Sequence, residues 1–308
     1  MNNFTHKVYL LTEDDATYQA LLNQADLPEL EITDSRQEAN ILLASPPMAS
    51  PCISEFSSLE WIQSIYAGVD ALVPSLENFS GDLTNVKGIF GQQISEYVLG
   101  YLIQHCRHFN HYQAQQHNQS WQPKAYRSLN TLNLVILGTG SIGSYLAATA
   151  KAFGLHVAGV NRSGIPAKNS PFDTTYHIQE LSTALKHADV IVNTLPDTSE
   201  TQGIFNQETL SHCHKALLFN VGRGSAIDEQ AIITALEKHW LEHAFLDVFE
   251  QEPLAPQHPF WSHPNITITP HIAAISFPEQ VVEIFTDNYH RWRDGFGLLN
   301  QIDLDKGY

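Results

Sequence analysis

Three polar residues stand just beyond short apolar or β-branched runs. Arg223 lies in Asn220-Val221-Gly222-Arg223-Gly224, Glu252 in Leu246-Asp247-Val248-Phe249-Glu250-Gln251-Glu252-Pro253-Leu254, and His271 in Ile268-Thr269-Pro270-His271-Ile272-Ala273-Ala274. In an open parallel sheet ligands bind outside the carboxyl ends of the strands, so side chains in these places can converge on one ligand. Their types suit proton transfer on an anion: imidazolium is the side-chain acid best matched to neutral pH, a neighbouring carboxylate favours its charged form, and the planar fork of arginine grips a carboxylate through two hydrogen bonds. Each has a plainer explanation when taken alone. His271 is one of 16 histidines, and Glu252 beside the acidic Glu250 would serve as a loop carboxylate capping a turn at Pro253. It is the joint placement at strand ends that singles them out.

A second constellation precedes them. The run Leu132–Leu137 enters Gly138-Thr139-Gly140-Ser141-Ile142-Gly143, and a helical pattern follows from Ser144 to Phe153. A GxGxxG between strand and helix is a dinucleotide fingerprint: Gly138 permits the tight turn, Gly140 admits a pyrophosphate to the backbone, and Gly143 lets helix and strand pack closely. The helix N-terminus adds N–H donors and the positive end of a dipole, in reach of Ser141 and Ile142.

The elements that must position these groups alternate along the chain in the βαβ manner of parallel sheets. Strands are expected at Lys7–Leu11, Leu30–Thr33, Asn40–Ala44 and Ile62–Tyr66, then at Leu132–Leu137, His156–Val160, Val190–Leu195, Ala216–Asn220, His243–Val248 and Ile266–Thr269. The pattern predicts an α/β fold of two domains, with residues 100–274 as a Rossmann dinucleotide domain. Residues 1–99, completed by 275–308, are expected to form a flavodoxin-like substrate domain across a deep cleft. Gln92–His117 is expected to be one long connecting helix followed by a surface loop up to Pro123, and Glu279–Asp294 the last helix.

Bulk properties limit the partners. A chain of 308 residues exceeds what one core usually supports. A net charge of −17 offers neither nucleic acid nor an anionic membrane a basic surface, so an anionic substrate needs a local cationic site. Met1–Leu11 is too weakly apolar for a secretory signal, and no apolar stretch reaches the roughly 20 residues of a membrane span. Three cysteines without a CxxC pair fit a reducing compartment, with the cytoplasm the expected location. His105, His108 and His111, like His212-Cys213-His214 and His239 with His243, lack a complete ligand set, and no metal is expected.

The motifs Asn-x-x-Arg-Gly, Leu-Asp-Val-Phe-x-x-Glu-Pro and Thr-Pro-His, in this order after GxGxxG, resemble the D-isomer-specific 2-hydroxyacid dehydrogenases, and among them the glyoxylate and hydroxypyruvate reductases. The likeness extends to Tyr66-Ala67-Gly68-Val69-Asp70, Ile94-Ser95-Glu96-Tyr97, Leu195-Pro196, and the closing Asn300-Gln301-Ile302-Asp303 with Gly307-Tyr308. By resemblance Arg223 holds the substrate carboxylate and 2-oxo group, Glu252 supports the catalytic histidine, and His271 is the acid/base. The N–H groups around Ala67, Gly68 and Val69 take the other carboxylate oxygen. Leu195, Pro196, Val221 and Gly222 border the cofactor, and Asp247 reaches the nicotinamide carboxamide. The resemblance also implies a homodimer, and a nucleotide-sensing regulator of the same fold is the rival function. Tyr66, Phe90, Trp121, Tyr126 and Trp261 are aromatic candidates for the substrate pocket.

The end of the second strand of the dinucleotide domain bears on the cofactor. NAD-using domains carry an acid there, which binds the ribose hydroxyls and repels a 2′-phosphate. Here His156–Val160 runs into Asn161-Arg162-Ser163. Asn161 is neutral, Arg162 can pair with a phosphate, and Ser163 offers a hydroxyl, so NADP is expected over NAD.

Overall fold

The structure, a computed structural model, describes residues 5–304. Gly307 and Tyr308 lie outside the described residues, as do the first residues of the Met1–Leu11 segment. The chain forms two compact units, Met1–Ile89 with Ser276–Tyr308, and Phe90–Ile275.

The first unit is a five-stranded parallel sheet of β1 (His6–Leu11), β2 (Leu30–Ile32), β3 (Ile41–Ala44), β4 (Trp61–Ser64) and β5 (Asp82–Thr84) in the order 2-1-3-4-5. That is the flavodoxin-like order. All four residues of β3 are buried, the unbroken apolar run of a strand covered on both faces. Helix α1 (Asp15–Ala25) follows β1, its N-terminus capped by the Asp14 carboxylate, and a short α2 (Pro46–Ala49) follows β3. The C-terminal helix Pro278–Arg293 returns to this unit, stacking Phe285 on Trp61 and placing Asn288 against Gln63.

The second unit opens with α3 (Phe90–Cys106) and α4 (Phe109–His117). Its seven parallel strands are β6 (Asn133–Leu137), β7 (His156–Asn161), β8 (Thr174–His177), β9 (Val190–Asn193), β10 (Ala216–Asn220), β11 (Leu241–Leu246) and β12 (Ile266–Ile268). Their order, 12-11-10-9-6-7-8, is the doubly wound Rossmann arrangement with one added edge strand, and it reverses between β6 and β9. Alternation along β6 divides the core. Leu134 and Ile136 join Leu99 and Leu102 of α3 and Leu146 and Ala150 of α5 (Ser141–Ala152). Val135 and Leu137 point to the other face, where Leu185 of α6 (Leu181–Leu185) and Ile232 and Ala235 of α8 (Glu229–Glu237) pack, with Leu210 of α7 (Gln207–Leu210).

Three expectations are corrected. The unit boundary falls before Phe90 and not at Gly100, which lies inside α3; the apolar face of that helix belongs to the second core throughout. The predicted helix over 92–117 is two helices, broken where His108 takes a left-handed conformation at φ 57°. The apolar spacing that α3 buries stops at Cys106, and α4 buries none of its residues. Strands β5 and β8 were not anticipated. Both are edge strands: β5 has only three residues, and no residue of β8 is buried, so neither carries an apolar run in the sequence.

Candidate active site

The turn after β6 is built from backbone. Gly138 has φ +102°, and a Cβ there would meet Thr194 Oγ1 at 2.5 Å. A Cβ on Gly143 would lie 1.9 Å from the Gly138 carbonyl oxygen, so α5 reaches the strand only because that residue is glycine. Gly140, by contrast, faces open space and caps α5 without a side-chain bond, leaving the first N–H groups of the helix around Ser141 and Ile142 available. Room beside Gly140 and donors at the helix end fit a pyrophosphate. Along the sequence, between Glu96 and Asp173 there is no acidic residue, while Arg107, Lys124, Arg127, Lys151, Arg162 and Lys168 are cationic; in the fold Arg127 pairs with Asp189 and Lys151 with Asp173, away from this turn.

At the end of β7 the Asn161 side chain shapes a loop. Its Oδ1 accepts from the N–H groups of Ser163 and Gly164, and its Nδ2 donates to Thr139 Oγ1 and the Ile165 carbonyl. Asn161 therefore ties the loop to the glycine turn, and Arg162 and Ser163 are exposed beside it.

Leu195 and Pro196 follow β9, Val221, Gly222 and Arg223 follow β10, and all belong to the same unit as Glu252 and His271. The guanidinium of Arg223 is half-buried and donates to the Gly222 carbonyl at 2.8 Å. Its charge is felt by both Glu252 and His271, lowering the pKa of each.

The loop of His271 is held by a buried carboxylate. Asp247 accepts from Thr269 Oγ1 (2.6 Å) and Ile272 N–H (2.9 Å) through Oδ1 and from Ala273 N–H (2.9 Å) through Oδ2, while its carbonyl accepts from His271 N–H. Thr269 in turn meets the Tyr97 hydroxyl of α3 at 2.7 Å. This set maintains His271 at φ +53°, a left-handed conformation that costs a non-glycine residue about 1–2 kcal/mol. The side chain that resemblance assigns to the nicotinamide is thus the clamp of the histidine loop, with lone-pair capacity remaining only beyond these three donors.

His271 Nδ1 meets Glu252 Oε2 at 2.8 Å. The hydrogen bond to Glu252 raises the histidine pKa, against burial and Arg223, with the charges of Glu252 and Asp247 adding to the rise. Burial alone would raise Glu252, but the bonds from His271 and from the Phe249 N–H outweigh it and the carboxyl lies below its usual range. Each partner thus favours the charged form of the other, imidazolium beside carboxylate. With Nδ1–H engaged, Nε2–H is the proton that can be given away.

In the first unit, the loop after β4 has its carbonyls pinned. Ser64 Oγ donates to the Tyr66 carbonyl at 2.9 Å, and Asn85 Nδ2 to the Ala67 carbonyl at 2.6 Å. Across a trans peptide the N–H points opposite to the C=O, so the N–H groups of Ala67 and Gly68 face away from these partners. No backbone acceptor among the described residues takes the N–H of Ala67, Gly68 or Val69. Consecutive free N–H groups form an anion-binding concavity. The Tyr66 hydroxyl donates to Glu13, Phe90 is buried in α3, and Trp121 is almost fully exposed. Among the described residues no three His, Cys, Asp or Glu side chains group as a metal site, and no helix is long and apolar enough to cross a membrane.

The sequence model of the family described as D-isomer specific 2-hydroxyacid dehydrogenase, NAD binding domain, matches residues 99–273. The chain belongs to the D-isomer-specific 2-hydroxyacid dehydrogenases. It is an oxidoreductase by this membership, with the dinucleotide domain at the matched residues. A glyoxylate/hydroxypyruvate reductase A of Serratia proteamaculans is 31% identical over 99% of each chain. A family member of Aeromonas salmonicida subsp. salmonicida shares 45% identity at a TM-score of 0.91, covering 98% of this chain and 100% of its own. An NADPH-dependent glyoxylate/hydroxypyruvate reductase of Sinorhizobium meliloti, solved with NADP and sulfate, shares 26% identity at a TM-score of 0.87, covering 99% and 100%.

Sequence reasoning missed the supports: Tyr97 and Thr269 behind Asp247, Ser64 and Asn85 behind the Ala67–Val69 loop, and Asn193 and Asn220 at the ends of β9 and β10. Tyr97, Thr269 and Asn220 stood in motifs of the resemblance without a role, and Ser64, Asn85 and Asn193 carried no signal, because an internal polar residue reads as ordinary until its partner is known.

Proposed function

We propose that this dehydrogenase reduces a small 2-oxo acid of the glyoxylate or hydroxypyruvate kind to the D-2-hydroxy acid with NADPH, His271 being the acid. The observation that carries the reading is the His271–Glu252 pair at 2.8 Å, with His271 raised and Arg223 close enough to act on both. The bound nicotinamide supplies a hydride to C2 of the substrate. His271 Nε2 gives its proton to the oxygen on C2, and Glu252 keeps the imidazolium oriented and charged beforehand. Arg223 holds the carboxylate and 2-oxo group through its fork, and the N–H groups of Ala67, Gly68 and Val69 are proposed as donors to the second carboxylate oxygen. Ser141, Ile142, Leu195, Pro196, Val221 and Gly222 line the cofactor on this reading.

NADPH is favoured by the missing acid at Asn161, by exposed Arg162 and Ser163 beside it, and by the NADP in the Sinorhizobium relative. NAD(H) remains a usable second cofactor, and a homodimer is the proposed assembly. Coenzyme oxidation followed by absorbance with glyoxylate, hydroxypyruvate, pyruvate and phenylpyruvate tests the whole reading. Turnover with the first two, and an Arg162→Ala variant whose KM rises for NADPH well beyond any rise for NADH, are the expected results. Tight coenzyme binding with no turnover across the panel would instead indicate a nucleotide sensor, and wild-type preference for NADH would overturn the cofactor choice.

A further inference from the structure

Asn193 and Asn220 end the neighbouring strands β9 and β10, pair in register, and are fully buried. Each makes a turn of its own loop: Asn193 Oδ1 accepts from the Leu195 N–H at 3.2 Å, and Asn220 Oδ1 from the Gly222 N–H at 3.3 Å. They are also joined to each other. Asn193 Nδ2 donates to Asn220 Oδ1 at 2.8 Å, and Asn220 Nδ2 donates onward to the Arg223 carbonyl at 2.9 Å. The two loops touch as well, since a Cβ on Gly222 would lie 2.8 Å from the Leu195 carbonyl oxygen and 2.9 Å from Asn193 Nδ2. On the far side, Thr194 Oγ1 lies 2.9 Å from the Leu137 carbonyl oxygen and 3.3 Å from that of Gly138, at the glycine turn.

Burying two amides costs free energy unless both are bonded, and an apolar pair would close these strand ends without that cost. Here their bonds go to the loops after β9 and β10, on one side of the topological reversal between β6 and β9. We propose that Asn193 and Asn220 are positioning residues that fix the backbone of Arg223 and couple it to the Leu195–Pro196 loop, so that seating the coenzyme sets the grip on the substrate carboxylate. This rests on the reading of Arg223 as the carboxylate ligand. The coupling is reciprocal: a carboxylate ligand on Arg223 tightens the coenzyme by the factor by which the coenzyme tightens the ligand.

The test uses the whole enzyme, the coenzyme the wild type turns over, and oxamate as a non-reducible mimic of a 2-oxo acid. Coenzyme affinity is measured by fluorescence titration with and without oxamate, alongside steady-state kinetics with glyoxylate, for Asn193→Ala, Asn220→Ala and the double variant. Expected are a fall in kcat/KM of about tenfold or more carried mainly by KM, little change in coenzyme affinity without oxamate, and loss of the tightening that oxamate gives. The double variant is expected to be no worse than the poorer single one, because both break one chain of bonds. Asn193→Ser and Asn220→Ser keep an acceptor for each turn while removing the amide donors. They should show the same loss if the alanine variants fail to fold. Wild-type kcat/KM and wild-type oxamate coupling in the folded variants, with only the melting temperature lowered, would overturn the inference. An Arg223→Lys enzyme with unchanged kcat/KM would refute the role of Arg223 itself, whereas an impaired Arg223→Lys beside intact asparagine variants would refute the coupling alone.

Discussion

The glycine turn at Gly138–Gly143 and the loop Thr269–Ala273 close strands of the same sheet, yet they are held by opposite means. The first is set by absent atoms: carbonyl, hydroxyl and helix approach one another because no Cβ intervenes at Gly138 and Gly143. The second is set by one side chain, the Asp247 carboxylate, which gathers Thr269, Ile272 and Ala273 and leaves His271 in a left-handed conformation. The glycine turn thus needs little beyond its own residues, whereas the His271 loop borrows its geometry from the end of β11, more than twenty residues earlier in the chain.

The largest effect should come from the side chain the second loop presents. His271→Asn keeps much of the shape but removes the proton donor, so kcat is expected to fall by about 10²–10⁴-fold with coenzyme affinity unchanged. Near-normal turnover, measured by coenzyme oxidation, would remove His271 from the chemistry. Next comes the clamp. Asp247→Asn turns an amide N–H toward one of the donors it now accepts from, and an unsatisfied buried donor costs about 1–3 kcal/mol. The melting temperature should fall, and kcat by about tenfold, as His271 loses its support; an unchanged kcat beside a lowered melting temperature would mean that the clamp serves stability only.

The glycines sharpen the contrast from the other side. Gly140→Ala has space in the protein and should fold normally while weakening coenzyme binding by about tenfold, since the added methyl stands where the backbone meets the pyrophosphate. Gly143→Ala should destabilise the fold by about 1–3 kcal/mol, because its Cβ overlaps the Gly138 carbonyl. Thermal melts and coenzyme titrations of the pair check this; equal loss of stability in both would erase the distinction.

The smallest effect is a displacement in pH. His271 is raised by Glu252, so reduction should persist to higher pH than an ordinary histidine would allow and decline as pH rises through the elevated histidine pKa. Glu252→Gln removes the charge that raises it and should move that alkaline limb to lower pH, read from kcat against pH. Stability carries the same signs: the contribution of His271 is present in acid and lost as pH rises through its folded pKa, and that of Glu252 is present above its unfolded pKa and lost as pH falls through its lowered one. A profile unmoved in Glu252→Gln would show that the pair does not tune the acid.

Much of this was readable in the chain itself. Apolar runs such as Ile41–Ala44 and Leu134–Leu137 announced parallel strands because burial on both faces demands them, and GxGxxG announced a nucleotide turn because its requirements are local. Arg223, Glu252 and His271 were singled out as candidates by their positions after strands, and the missing acid at Asn161 was noted by its position after β7. Tertiary structure decided what depends on partners. It ended α3 at Cys106 where the core ended, added the edge strands β5 and β8, and engaged Asp247, Asn161, Asn193 and Asn220 in loops whose other members lie elsewhere in the chain. A glycine declares itself by the atoms it lacks, but a buried carboxylate or amide takes its meaning from the group it bonds, and only the folded sheet brings that group within reach.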